Sequence, residues 1–533
     1  MKLIKSVFLS LSLGTVFAAF ANGDCRTDCR WGDLGDGTFA NPVLNADYSD
    51  PDIIRVGDKY YMTCSEFHFM GMPILESDDM VNWHIIGQVY DSIDKPGYSD
   101  MTKYAEGTWA PALRYHDGKF WIFVCTPGEG LFMTTAENPA GPWTPLHQVK
   151  KVPKWEDPCP FWDEDGNAYL VRSRHGAGPI IIHRMSADGR SLLDDGVTVY
   201  KGPVAEGPKM FKKDGVYYIS IPEGGVSTGW QTVLRSKNIY GPYESRRVLE
   251  QGSTSVNGPH QGSLVETPAG DWWFYHFQSA GTRGRVVHLQ PVEWVDGFPV
   301  IGTDYDGNGI GEPMAVCRKP FESAGKPSSP QTSDEFDADA LGIQWQYNHN
   351  PIPERLSLAD RRGWLAMTPN QASKLREARN QITQKIMGYR ADATSLIDFS
   401  RMKSGERSGV ECLGKTFNGA GVMIENVDGK DVPCLYIERD SLVTYRQPLP
   451  SGVSTVVVRL KIDNQANEFA YSFSLDNGVT FVPFGETFKM EKGFWKGVRM
   501  GLYAYTTDLS SSTPGRTYFD YFRYRHDGLG SDL

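Results

Sequence analysis

A hairpin pattern that recurs five times limits what this chain can fold into more than any other feature. It appears as "SDPDIIRVGDKYYMT" from Ser49, "WAPALRYHDGKFWIF" from Trp109, "EDPCPFWDEDGNAYL" from Glu156, "AEGPKMFKKDGVYYIS" from Ala205 and "PHQGSLVETPAGDWWFYHF" from Pro259. Each copy has a small, Gly- or Pro-containing opening, an apolar run, a turn carrying Gly, and a second run rich in aromatic residues. Asp-Gly between alternating apolar runs is the strongest short-range hairpin signal, because the turn needs positive φ. A chain with 56 glycines and 12% aromatic residues suits many short strands of this kind.

The residues that open these units, Asp50, Ala110, Asp157, Glu206 and His260, lie 60, 47, 49 and 54 residues apart. That is close to the length of a four-stranded propeller blade. A second mark repeats as well: "SDDMVNW" from Ser77, "TTAENPAGPW" from Thr134, "SADGRSL" from Ser186 and "SKNIYGPY" from Ser236 each read as the loop between a third and a fourth strand. The expected fold is all-β, and residues 38–315 are expected to form a five-bladed β-propeller. In such a fold the first strand of each blade lines the axis, so residues opening equivalent strands converge on one mouth of the channel.

At 533 residues the chain is longer than one core usually supports, roughly 250 to 300 residues. Between Pro313 and Phe336 the strand pattern gives way to Pro, Ser and charge, which places a linker at residues 316–332. Alternating segments return over residues 333–533, among them "STVVVRLKID", "EFAYSFSLD" and "VRMGLYAYT", without the blade repeat. They predict two packed antiparallel sheets, a β-sandwich of jelly-roll or concanavalin-like form.

The formal charge of -11 leaves no basic stripe for a phosphate backbone, so nucleic acid is excluded as an expected partner. Lys2 and Lys5 precede an apolar run from Val7 to Phe20 that ends in Ala19-Phe20-Ala21. Residues 1–21 therefore read as an export signal, followed by an extension over residues 22–37, and the protein is expected in the periplasm or outside the cell. The run is shorter than the roughly 20 residues a membrane span needs, and no transmembrane segment is expected. Export permits disulfides, and nearness in sequence suggests Cys25 with Cys29 or Cys412 with Cys434.

Three carboxylates and an imidazole brought to one pocket oppose stability, since burial and like charge both disfavour ionisation. Such clusters point to function. Paired carboxylates among aromatic residues are the equipment of glycoside hydrolysis: one acid with a raised pKa protonates the leaving oxygen, and a second carboxylate activates water or attacks the sugar. The long side chain of Glu206 suits the acid and Asp50 the base, while Asp157 between them suits a group that raises the pKa of Glu206. The alternatives are a sugar-binding propeller without catalysis and a retaining enzyme with an aspartate nucleophile. Carboxyl separation divides an inverting from a retaining enzyme, at about 6.5 to 9.5 Å for inversion and about 5 to 5.5 Å for retention. The wider gap is expected between Asp50 and Glu206.

The segments "DYSDPDIIRVGDKYYM", "EDPCPFWDEDGNAYLV", "AEGPKMFKKDGVYY" and "PHQGSLVETPAGDWW", in this order and spacing, resemble the landmarks of glycoside hydrolase family 43. These are five-bladed inverting enzymes acting on arabinose- and xylose-containing polysaccharides. The resemblance implies Asp50 as general base, Asp157 as pKa modulator and Glu206 as general acid. It also implies Trp109 as a pocket wall that packs on sugar, Arg285 as an arginine approaching the pocket, and His260 facing a calcium or other cation in the channel, with no cofactor needed for the chemistry. Ala112 stands where many relatives carry an acidic or hydroxyl residue, removing a hydrogen-bond partner near the second blade. The C-terminal segment resembles the sandwich of a subset of the family, which is expected to lean a loop over the pocket. The resulting expectation is an exo-acting enzyme releasing α-L-arabinofuranosyl units from hemicellulose or its oligosaccharides, with β-D-xylosyl release or dual activity as the alternative.

Overall fold

The computed structural model describes residues 30–321, 326–348, 350–493, 495–510 and 513–529. The expected export signal and the Cys25–Cys29 pair lie outside them. Five four-stranded antiparallel sheets follow one another along the chain, each made of four consecutive strands. Their first strands are Asp52–Val56, Trp109–His116, Trp155–Trp162, Lys209–Lys213 and Leu264–Glu266. The "SDDMVNW" loop joins Pro73–Ser77 to His84–Gln88, third strand to fourth, and the equivalent loops do the same in the next three blades.

The ring closes between the first and last blades. Ser263 Oγ accepts a hydrogen bond from Ile53 N at 3.0 Å and donates to Asp52 Oδ1 at 2.6 Å, and Arg55 Nε donates to Glu266 O at 2.7 Å. Leu44 and Val287 exchange backbone hydrogen bonds, which fastens the segment before the first blade onto the last. The stretch expected to be pure linker begins with a strand, Val316–Arg318, paired with Thr38–Ala40 in a three-stranded sheet. The chain leaving the propeller is thus tied to the chain entering it.

The second domain consists of two eight-stranded sheets around an apolar core that includes Phe336, Trp345, Val410, Leu460, Phe484 and Leu502. The sandwich expectation holds, but the Cys412–Cys434 pairing does not, because both thiols are free and buried. Cys412 lies on Glu406–Leu413 and packs into the core between the sheets. Cys434 lies on Lys430–Arg439, one strand beyond the intervening Phe417–Val427, and joins a different apolar cluster with Phe69 and Tyr436. Alternation along the strands sends the two sulfurs to different cores, so nearness in sequence misleads.

Candidate active site

Each first strand begins with the same irregularity. Ser49 pairs with Ser65 while Asp52 pairs with Thr63, so the inner strand carries one extra residue. The register shifts equally between Trp109 and Ala112, Glu156 and Cys159, Glu206 and Lys209, and His260 and Ser263. The second residue of every bulge has positive φ: Asp50 at 53°, Ala110 at 38°, Asp157 at 55°, Gly207 at 53° and Gln261 at 58°. Only Gly207 among these takes that conformation without steric cost. Five bulges at one mouth of the channel re-aim side chains there, a known use of the motif beside active sites.

This shared geometry corrects the sequence alignment by one residue. Asp50, Ala110 and Asp157 are equivalent to Gly207 and Gln261, whereas Glu206 and His260 occupy the preceding position together with Ser49, Trp109 and Glu156. Three carboxyls nonetheless come together: one ligand atom each of Glu156, Asp157 and Glu206 lies within 4.8 Å of the others. Asp50 stands outside that group but lines the same cavity of about 420 Å³, with Phe67, Trp109, Gln261, Arg285 and Trp495. A larger cavity of about 460 Å³ lies elsewhere, around Arg114, Phe161 and Trp272. It contains none of these carboxyls, so the smaller cavity is the one with the chemistry.

Hydrogen bonds from their own blade and from the next one hold Asp157 and Asp50. Asp157 Oδ2 accepts from Ser173 Oγ at 2.7 Å and from the bulge amide of Gly207 at 2.8 Å. Asp50 Oδ2 accepts from Ser65 Oγ at 2.6 Å, and Ser65 Oγ accepts from the bulge amide of Ala110 at 2.6 Å. The other oxygen of Asp50 is paired with Arg285, which is 5% exposed. Arg285 is therefore bound to the proposed base and is no surface ion pair.

The Glu206 carboxyl has no such donor among the described residues. Burial, and after it the Asp157 charge, push its pKa up to about 8 against the opposing pull of Arg285. Asp157 is itself raised, chiefly by burial, although Ser173 and Gly207 oppose this. Removing the charge at Asp157 should let Glu206 ionise at lower pH. An acid must be protonated to act, so Asp157→Asn should move the alkaline limb of the kcat profile to lower pH. A limb that stays in place would remove Asp157 from that role.

The sandwich completes the cavity. Trp495, 46% exposed, reaches the pocket wall with its ring centroid 6.3 Å from that of Trp109. Its loop is fixed by Asp47, whose Oδ2 accepts from Gly497 N at 2.8 Å while Oδ1 accepts from Arg285 N at 2.9 Å. One buried carboxylate thus positions both the aromatic wall and the arginine. Ala112, by contrast, is fully buried in an interblade cluster with Cys159 and Ile219 and does not line the cavity. The hydrogen-bond partner expected to be missing near the sugar would have had no sugar to reach.

His260 is buried with its ring 5.1 Å from that of Phe277, and neither ring nitrogen has a hydrogen-bond partner among the described residues. Burial, then Arg285 and His276, lower its pKa to about 3, so the imidazole is neutral. A neutral ring offers one nitrogen to an ion. The only grouping of metal-ligand type among the described residues is the carboxyl set above, and His260 is not in it. Calcium at His260 would need water to supply most of its oxygen shell.

Among the pocket residues that the sequence pattern does not single out are Glu156 and Trp495. Glu156 stands beside Asp157 and shares its bulge with it, a signal that an alignment on the bulge would have exposed. Trp495 lies in the other domain, and nothing local in "GFWKG" marks it.

Comparison with known proteins agrees with this geometry. The family described as Glycosyl hydrolases family 43 matches residues 39–299, and the Beta xylosidase C-terminal Concanavalin A-like domain matches residues 333–525. A Xylanibacter ruminicola protein that carries a beta-xylosidase assignment is 53% identical over 472 residues, covering 88% of this chain and 87% of that one. A Bacteroides ovatus protein named non-reducing end alpha-L-arabinofuranosidase is 27% identical over 528 residues, covering 92% and 96%. Among solved structures, the xylan beta-1,4-xylosidase of Bacillus halodurans superposes with a TM-score of 0.79 at 25% identity, covering 91% of this chain and 99% of that one.

Proposed function

Because this chain belongs to glycosyl hydrolase family 43, we propose that it is an exo-acting, inverting β-D-xylosidase releasing terminal xylosyl units from plant hemicellulose or its oligosaccharides. The observation that carries the choice of sugar is the 53% identity, across both domains, to a relative with a beta-xylosidase assignment. This replaces α-L-arabinofuranosyl release, the first choice from sequence, which has support at 27% identity. Dual activity is the second reading, since the two sugars present similar hydroxyl arrangements to a small pocket.

In the proposed reaction Glu206 gives its proton to the glycosidic oxygen as the bond to the anomeric carbon breaks. Asp50 takes a proton from the water that attacks the opposite face, so configuration inverts in one displacement. Arg285 orients Asp50, and Asp157 keeps Glu206 protonated near neutral pH. The cavity of about 420 Å³, walled by Trp109 and by Trp495 of the sandwich, supports removal of one terminal unit at a time. An ion at His260, where bound, would add positive charge in the channel, and no step is routed through it. Export through residues 1–21 remains part of the proposal.

Aryl β-D-xylopyranoside and aryl α-L-arabinofuranoside assayed side by side test the sugar. Proton NMR of the first sugar released tests the stereochemistry: α-xylose from the β-xyloside is expected, and β-xylose first would replace inversion by a covalent intermediate.

A further inference from the structure

We propose that Glu156 is a substrate-binding residue, a fourth carboxyl of the pocket whose Oε1 pairs with a hydroxyl of the terminal sugar. The inference rests on the glycosidase reading above and deepens it. Glu156 occupies the bulge position that holds Glu206 in the next blade and Trp109 in the previous one, so the backbone directs all three to the same mouth. Its side chain lines the cavity at 7% exposure. Oε2 faces His175 Nδ1 at 3.5 Å, while Oε1 has no hydrogen-bond partner among the described residues.

That orphan is not alone. Trp109 Nε1 and Arg285 Nε are also buried without partners, and both residues line the same cavity. Buried polar atoms in native proteins are nearly always satisfied, and each exception calls for an explanation. Three on one cavity, two donors and a carboxyl, are explained together by a ligand that offers both acceptors and donors. A sugar ring with adjacent hydroxyls is such a ligand, since every hydroxyl donates once and accepts twice.

The charge state suits the role. Burial, with the Asp157 and Glu206 charges, pushes Glu156 up to about 9 against the opposing backbone N–H of Ala177. A carboxyl kept neutral can donate to a hydroxyl as well as accept from one, as buried acids in other active sites do. A purely structural role for Glu156 would leave Oε1 unexplained. A purely electrostatic one would duplicate Asp157, its neighbour in the chain.

The test compares wild type, Glu156→Ala and the isosteric Glu156→Gln on an aryl β-xyloside and on its 2-, 3- and 4-deoxy analogues. Glu156→Ala is expected to lower kcat/KM on the parent roughly 10- to 100-fold. On the one analogue that lacks the contacted hydroxyl the same change should cost no more than about threefold. Glu156→Gln should recover part of the parent's loss, and its retained shape keeps the test open should the alanine variant fail to fold. An equal loss on the parent and all three analogues, or no loss on the parent, would overturn the assignment. Calorimetric titration with xylose, the released sugar, reads the contact without turnover. Wild type that binds xylose and does not cleave the aryl β-xyloside would defeat the glycosidase reading alone, whereas Glu156→Ala and Glu156→Gln that both bind like wild type would defeat this one.

Discussion

Glu206→Gln should reduce kcat on xylobiose by roughly 10³-fold, within the range expected for loss of a general acid, yet reduce it far less on an aryl xyloside with an acidic phenol. The difference follows from what the carboxyl does. The leaving oxygen of xylobiose becomes an alkoxide unless it receives a proton, and Glu206 is a carboxyl of the cavity with neither a hydrogen bond nor an ion pair among the described residues. An acidic phenol departs as a stable anion and needs little assistance. The amide keeps the size of the side chain, so binding should survive and KM should change little. The alkaline limb of the rate profile should vanish along with the titrating group. Measuring kcat across phenols of graded acidity checks this: the variant's rates should depend steeply on the phenol pKa and the wild-type rates weakly. An equal loss on every leaving group would assign Glu206 to structure or to binding.

The sequence announced the blades and concealed their fine register, for one physical reason. Hairpins and inter-strand loops depend on local chemistry, Asp-Gly turns and alternating apolar residues, which is visible in a window of about ten residues. The bulge depends on φ, and at four of the five positions the residue adopting positive φ is Asp, Ala, Asp or Gln, none of which declares it. Only Gly207 does, and the sequence pattern puts Glu206 one place out of register with Asp50 and Asp157. Asp50, Asp157 and Glu206 line one cavity regardless, because bulge neighbours share one mouth. Trp495 and the Asp47 contact that holds its loop join segments 450 residues apart, which no local pattern can reveal. The cysteines fail in the opposite sense: Cys412 and Cys434 are near in sequence, and strand alternation takes them apart.

The motif "SDPD" places two aspartates two residues apart, and substitution should divide them sharply. Asp50→Ala is expected to abolish turnover by removing the base. Asp52→Ala is expected to cost about 3 to 5 kcal/mol of stability, the range for breaking a buried ion pair from one side. Asp52 is completely buried where four blades meet: Oδ2 accepts from Leu113 N at 2.6 Å and from Arg114 Nη1 at 2.7 Å, Oδ1 accepts from Ser263 Oγ, and Lys209 Nζ lies 3.6 Å away. Alanine would strand a guanidinium and an ammonium in the channel and leave a backbone amide unpaired.

The pH dependence provides an independent check. Burial alone would raise the pKa of Asp52, but Arg114, Lys209 and the hydrogen bonds outweigh it and hold the carboxyl below its ordinary value. A depressed carboxylate contributes stability that is complete above the unfolded pKa, about 3.9, and is lost as pH falls through the folded one. Asp52→Asn should therefore flatten the acid side of the unfolding midpoint below about pH 4, besides lowering the midpoint at neutral pH. Unfolding midpoints across that range for wild type, Asp52→Asn and Asp50→Ala would decide the matter. If Asp52→Asn matches wild type at neutral pH, the channel charges are not what binds the blades together.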